Sequence, residues 1–95
     1  MCTSIEEIVA MRGSAKGPQA WFAVTDAFVS YDHPTHALLE QSLNIDFVNP
    51  SMGPAARAAV EITAASARAL AHAILKALAE AEEQGYFAPA PSGTG

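Results

Sequence analysis

The chain has 95 residues, of which 51% are hydrophobic and 16% are charged, and its formal net charge is -5 with only five lysines and arginines. A chain of this length has room for one hydrophobic core, so we expect a single domain over residues 1–87. So few basic residues cannot form a patch that neutralises phosphates, which argues against nucleic acid and anionic membrane surfaces as partners.

Two segments in the first third of the chain have the pattern of β-strands. Residues 2–11 alternate in polarity, with Ile5, Val9 and Met11 on one face, and the strand should end in a glycine-rich turn at residues 12–18. Residues 21–32 are rich in aromatic and β-branched residues on both faces. A strand with two apolar faces should contact either the helix and a neighbouring subunit or a second layer. Because the alanine-rich core is thin, we expect a homo-oligomer, a dimer or larger.

The next segments predict two more strands. Leu43, Ile45 and Phe47 alternate with polar residues before the turn residues Asn49 and Pro50. Residues 56–63 alternate in the same way and form the fourth strand. The short connections between these strands favour antiparallel neighbours.

The last element is a helix between Thr63, at the N-cap position, and Gly85, which suits the residue after a helix end. Its apolar stripe should pack on the sheet and consists of Ala67, Leu70, Ile74, Ala77, Leu78 and Ala81. The predicted fold class is therefore α+β, with a four-stranded antiparallel sheet and one C-terminal helix packed on a face. Residues 88–95 have no apolar period and should be a disordered tail.

The location suggested by the sequence is the cytoplasm. Glu6 and Glu7 interrupt the only early apolar stretch, so we expect no signal peptide. No run approaches the roughly 18 apolar residues that span a bilayer. The chain has one cysteine, Cys2, so it has no internal disulfide, which fits a reducing compartment.

The strongest candidate for chemistry is a set of side chains from the chain start and the loop after the second strand. Pro34 stiffens the loop between His33 and His36, so both imidazoles can point to one side. If the first two strands form a hairpin, Cys2 is brought close to this loop. Two imidazoles and a thiolate suit a divalent transition metal such as zinc or copper, with Asp32 as a fourth ligand or as support. The alternative is an exposed loop without a site.

Cys2 also supports a hypothesis without metal. Removal of Met1 would leave a free amine beside the thiol, and the thiol could attack an aldehyde or thioester with His33 or His36 as base. The structural alternative is a small apolar residue at the start of a strand.

A third candidate is the polar face of the third and fourth strands, which carries Asn44, Asp46, Arg57 and Glu61. These side chains would line a shallow site for a small-molecule ligand, with Asp46 as a general base, or form an ordinary solvated face. Residues 13–18 do not follow the order of a phosphate-binding loop, so no nucleotide cofactor is expected. The catalytic candidates are thus Cys2 and Asp46.

The chain resembles a family of small uncharacterised actinobacterial proteins that open Met-Cys-Thr. The shared pieces include MCTSI at the start, YDHPTHA in the loop and LNIDFVNP in the third strand. The resemblance implies a cytosolic single-domain bacterial protein and transfers no activity. The sequence therefore supports two functions: a metal-binding protein, with or without enzymatic activity, and a non-catalytic oligomeric interaction module or accessory subunit.

Overall fold

A computed structural model of the chain describes residues 5–33 and 40–88. The elements are β1 (Ile5–Lys16), β2 (Trp21–Asp32), β3 (Ser42–Val48), β4 (Arg57–Ile62) and α1 (Ala64–Glu83). A short 3-10 helix, Pro50–Met52, lies between β3 and β4. A four-stranded sheet followed by one helix confirms the predicted α+β class.

All strand pairs are antiparallel, and the strand order β1-β2-β3-β4 follows the chain. Opposite residues in such a ladder lie on the same face. Val29 therefore shares a face with Ile45 and Val60, while Ser30 shares the other face with Asn44. Along β3 and β4 one face is apolar and the other is polar, whereas β1 and β2 add Ile8 and Phe28 to the polar side.

Strand β1 is longer than the sequence predicted. The glycine-rich turn was expected at residues 12–18, but β1 continues to Lys16, and the turn closes with the Gly17 N–H donating to the Ala20 carbonyl at 2.9 Å. The prediction failed because nearly all of β1 is exposed, so burial imposes no alternation on its second half. The pairing with β2 also shifts between Ala10 and Gly13, which marks a β-bulge in this part of the strand.

The hydrophobic core of the sheet is small. Phe22, Val24 and Ala56 form its buried cluster. Partly buried apolar side chains that pack against this cluster are Ala15, Phe47 and Ala58. The core thus lies where the turn end of the β1–β2 hairpin packs against the segment that precedes β4.

The connection from β3 to β4 is held by one buried amide. Asn49 is 6% exposed, and its Oδ1 accepts hydrogen bonds from the Ser51 N–H at 3.2 Å and the Ser51 hydroxyl at 2.7 Å. Its Nδ2 donates to the Ala23 carbonyl of β2 at 2.9 Å. The Asn-Pro turn predicted from the sequence therefore also links the end of β3 to β2 through the Asn49 side chain.

The chain forms two compact units, one within residues 1–64 and one within residues 65–95. In the second unit, the N–H groups of Gly85 and Tyr86 donate to the carbonyls of Glu82 and Ala81, and Gly85 has a φ of 80°. This is the Schellman arrangement, so the predicted role of Gly85 at the helix end is confirmed. The packing of the helix on the sheet stays a prediction, and residues 89–95 of the predicted tail lie outside the described part. Within that part, no helix is long and apolar enough to cross a membrane.

Candidate functional site

His33 is held by the segment that leads into β3. It follows β2 directly, and its ring Nδ1 lies 2.9 Å from the backbone carbonyl oxygen of Glu40. A carbonyl oxygen only accepts hydrogen bonds, so Nδ1 carries the proton in this contact. In the neutral ring the lone pair is then on Nε2. This contact therefore fixes both the tautomer and the direction of the imidazole.

Asp32, the last residue of β2, contacts the backbone of His33. Its Oδ1 accepts a hydrogen bond from the His33 N–H at 2.7 Å. The Glu40 carbonyl, and not this oxygen, makes the contact with Nδ1 of the His33 ring. Asp32 thus caps the end of β2 and fixes the backbone from which the imidazole projects.

The strand register brings the start of β1 to the same end of the sheet as His33. Ile5, the first residue of β1, pairs with Tyr31 in β2, only two positions before His33. Cys2 precedes Ile5 by three residues, and His36 follows His33 by three. The hairpin on which the prediction depended is present.

Two of the four predicted ligands, Cys2 and His36, lie outside the described residues. Within residues 5–33 and 40–88, no three His, Cys, Asp or Glu side chains come together as a metal-binding group. The described part of the site is therefore Asp32 and His33, beside a surface depression lined by Tyr31, His33, Glu40 and Gln41.

The polar face of the sheet forms a second charged region. Arg57 donates to Oδ1 of Asp46 from Nη2 at 2.8 Å and from Nε at 3.2 Å. Asn44 pairs directly with Glu61 on the same face, so the four residues predicted to lie together do so. Asp46 also borders a depression next to Ile8 and Phe28. Because Arg57 donates to one of its carboxylate oxygens, Asp46 forms an ion pair in this structure.

The sequence did not point to Glu40 as part of the site. Its contribution is a backbone carbonyl, seven residues from His33, and any residue type supplies that group. A weak signal was its place two residues before β3, which pairs with the strand that His33 follows.

Comparison with known proteins gives a family and no activity. Residues 1–87 match the model of a family of unknown function, DUF6295, and the chain belongs to that family. No curated protein and no solved structure matches the chain.

Proposed function

We propose that this member of the DUF6295 family binds a divalent transition metal ion, zinc or copper, at the end of β2, with His33, His36 and Cys2 as ligands. The observation that carries the proposal is the contact of His33 Nδ1 with the Glu40 carbonyl. Histidines that ligate metals commonly donate the other ring N–H to a carbonyl or carboxylate, which orients the ring and raises its basicity.

The ligand set supports an ion of intermediate softness. Imidazole nitrogen and thiolate sulfur suit zinc and copper, whereas magnesium and calcium prefer oxygen. Three protein ligands leave a fourth position for water or substrate, as in catalytic zinc sites. Asp32 stands beside His33 through its hydrogen bond to the backbone, so its second carboxylate oxygen supplies a further ligand or a second-shell acceptor.

The chain connectivity supports this ligand set. The Ile5–Tyr31 pair keeps the start of β1 beside the end of β2. Cys2 and His36 each need only three residues to reach the same end of the sheet. Ligands delivered by two ends of one hairpin also tie metal binding to the folding of that hairpin.

The experiment is a titration of untagged protein with Co²⁺, which reports its ligands by absorption. Wild type should show the d–d bands of a tetrahedral ion together with a sulfur-to-cobalt charge-transfer band. Cys2→Ser should lose the charge-transfer band, and His33→Ala should weaken binding. The matched control is His72→Ala, which removes an exposed histidine on α1. Equal spectra for all four proteins would overturn the proposal.

A second candidate function is a non-catalytic interaction module or accessory subunit. The observation that favours it is the small core, since Phe22, Val24, Ala27 and Ala56 are the buried apolar residues of the described part. Within the sheet unit, Ile5, Ile8 and Trp21 are 63%, 67% and 67% exposed. Surfaces of this kind commonly bind other proteins.

The two functions separate in a triple variant, Cys2→Ser with His33→Ala and His36→Ala. An interaction module keeps its oligomeric mass and complements a deletion strain as wild type does. A metal-dependent protein fails to complement although it still folds. The oligomeric mass from sedimentation and the growth of the complemented strain therefore distinguish the two functions.

A further inference from the structure

Strand β1 forms one edge of the sheet. It pairs with β2, and among the described strands it has no second hydrogen-bonded neighbour. It runs for 12 residues without a proline, and every residue except Ala15 is exposed. The outer side of such a strand presents a row of unpaired backbone N–H and C=O groups, which is a template for another strand.

The charges on β1 are divided between its two halves. Glu6 and Glu7 lie near the start, while Arg12 and Lys16 lie near the end. When a strand pairs antiparallel with a second copy of itself, its first half meets the second half of the partner. The acidic half of each strand then faces the basic half of the other, and opposite charges across a strand pair stabilise it.

This complementarity does not depend on one register. Glu6 and Glu7 are neighbours, so they lie on opposite faces of the sheet. Each face of the paired strands therefore carries a carboxylate. The bulge between Ala10 and Gly13 determines the face on which Arg12 lies, and Arg12 faces a carboxylate in either case. A parallel alignment would instead place acidic residues beside acidic ones.

Apolar side chains add to the contact. Ile5, Ile8 and Val9 are 63%, 67% and 47% exposed, and all three lie in the half that carries the carboxylates. The opposite edge, β4, has only 6 residues, and its Arg57 is already paired with Asp46. β1 is thus the longer edge, and its charged groups complement a second copy.

We propose that two copies of this chain associate through antiparallel pairing of their β1 strands, which joins two four-stranded sheets into one of eight strands. The dimer has two-fold symmetry, so each copy gives the same surface to the contact. The proposal is independent of the metal site, because it uses only β1.

The test exchanges the charges in two variants. One carries Glu6→Lys and Glu7→Lys, so all four charges on β1 are positive, and the other carries Arg12→Glu and Lys16→Glu, so all four are negative. Each variant alone should dimerise about ten-fold or more weakly than wild type by sedimentation. An equimolar mixture should form a heterodimer of one copy of each.

The control for the positive variant is Glu82→Lys with Glu83→Lys, which makes the same change in net charge at the end of α1 and should dimerise like wild type. A chain with all four β1 exchanges should dimerise again, and its recovery separates loss of pairing from loss of folding. A monomeric wild type would overturn the proposal. So would a dimer that survives in both single-sign variants.

Discussion

The Nδ1 atom of His33 lies 2.9 Å from the carbonyl oxygen of Glu40, so the imidazole at the end of β2 is tied to the chain that enters β3. In the neutral ring, a proton on Nδ1 leaves the lone pair on Nε2. Asp32 fixes the backbone of the same residue. The ring is therefore oriented before any ligand arrives, which reduces the entropy lost on binding.

Replacing His33 should weaken metal binding much more than replacing the histidine on the helix. Loss of groups that only orient a ligand costs about 10- to 100-fold in metal affinity, and loss of the ligand itself costs at least as much. We therefore expect His33→Ala to bind zinc at least about ten-fold more weakly by calorimetry. His72→Ala should match wild type, and an equal loss in both variants would point to nonspecific binding.

Adding a methyl group at Gly17 should destabilise the fold, whereas adding it at Gly13 should not. A Cβ at Gly17 would lie 3.2 Å from Phe22 Cδ1 and 3.3 Å from the carbonyl oxygens of Ala20 and Ala55. At Gly13 nothing lies within 4 Å. Crowding of this kind costs about 1–3 kcal/mol. The check is the free energy of unfolding in urea, with Gly13→Ala as the matched control.

The outcome at Gly13 has the opposite sign. Gly13 has no positive φ in this structure, so alanine fits its backbone and lowers the entropy of the unfolded chain. Gly13→Ala should therefore be neutral or stabilise by up to about 1 kcal/mol. Equal unfolding free energies for Gly17→Ala and wild type would contradict the close approach of the turn to residue 55.

Truncating Asn49 should be among the most damaging polar substitutions in the sheet. Asn49→Ala removes the bond to the Ala23 carbonyl and the cap on Ser51, inside a site that water hardly reaches. Loss of buried partners costs about 1–3 kcal/mol. Thermal unfolding should show a clear fall in Tm. Gln19→Ala, at an exposed turn residue, should leave the Tm unchanged.

The Asp46–Arg57 ion pair should contribute little to stability. The two side chains are 32% and 55% exposed, so water and salt screen the contact. Exposed pairs of this kind are worth roughly 0–1 kcal/mol. A double-mutant cycle with Asp46→Asn and Arg57→Gln should give a coupling energy in that range, and the coupling should shrink as salt is added. A coupling energy well above it would indicate a charged network on the polar face.

Most elements of the fold could be predicted from the spacing of apolar residues and from turn and cap residues. β3 alternates along one half-buried strand, and the helix ends where Gly85 supplies the positive φ that the Schellman arrangement needs. The second half of β1 could not be predicted, because an exposed edge strand is under no pressure to alternate and its glycine favours a turn. Edges are therefore where sequence patterns are weakest.

The site could be predicted only in part. The hairpin between β1 and β2 was expected, and the Ile5–Tyr31 pair confirms it. The face shared by Asp46 and Arg57 also followed from alternation, since diagonal positions on two strands lie within reach of long side chains. The contact with the Glu40 carbonyl could not be predicted from residue type, because every residue has a backbone carbonyl and the shape of the loop decides which one accepts the hydrogen bond.

The most direct test of the proposed metal site is native mass spectrometry of untagged protein, purified from medium that contains zinc and copper. We expect each wild-type chain to carry one metal ion, and the ion should be absent from His33→Ala and retained in His72→Ala. Wild type without metal, or His33→Ala with as much metal as wild type, would contradict the account.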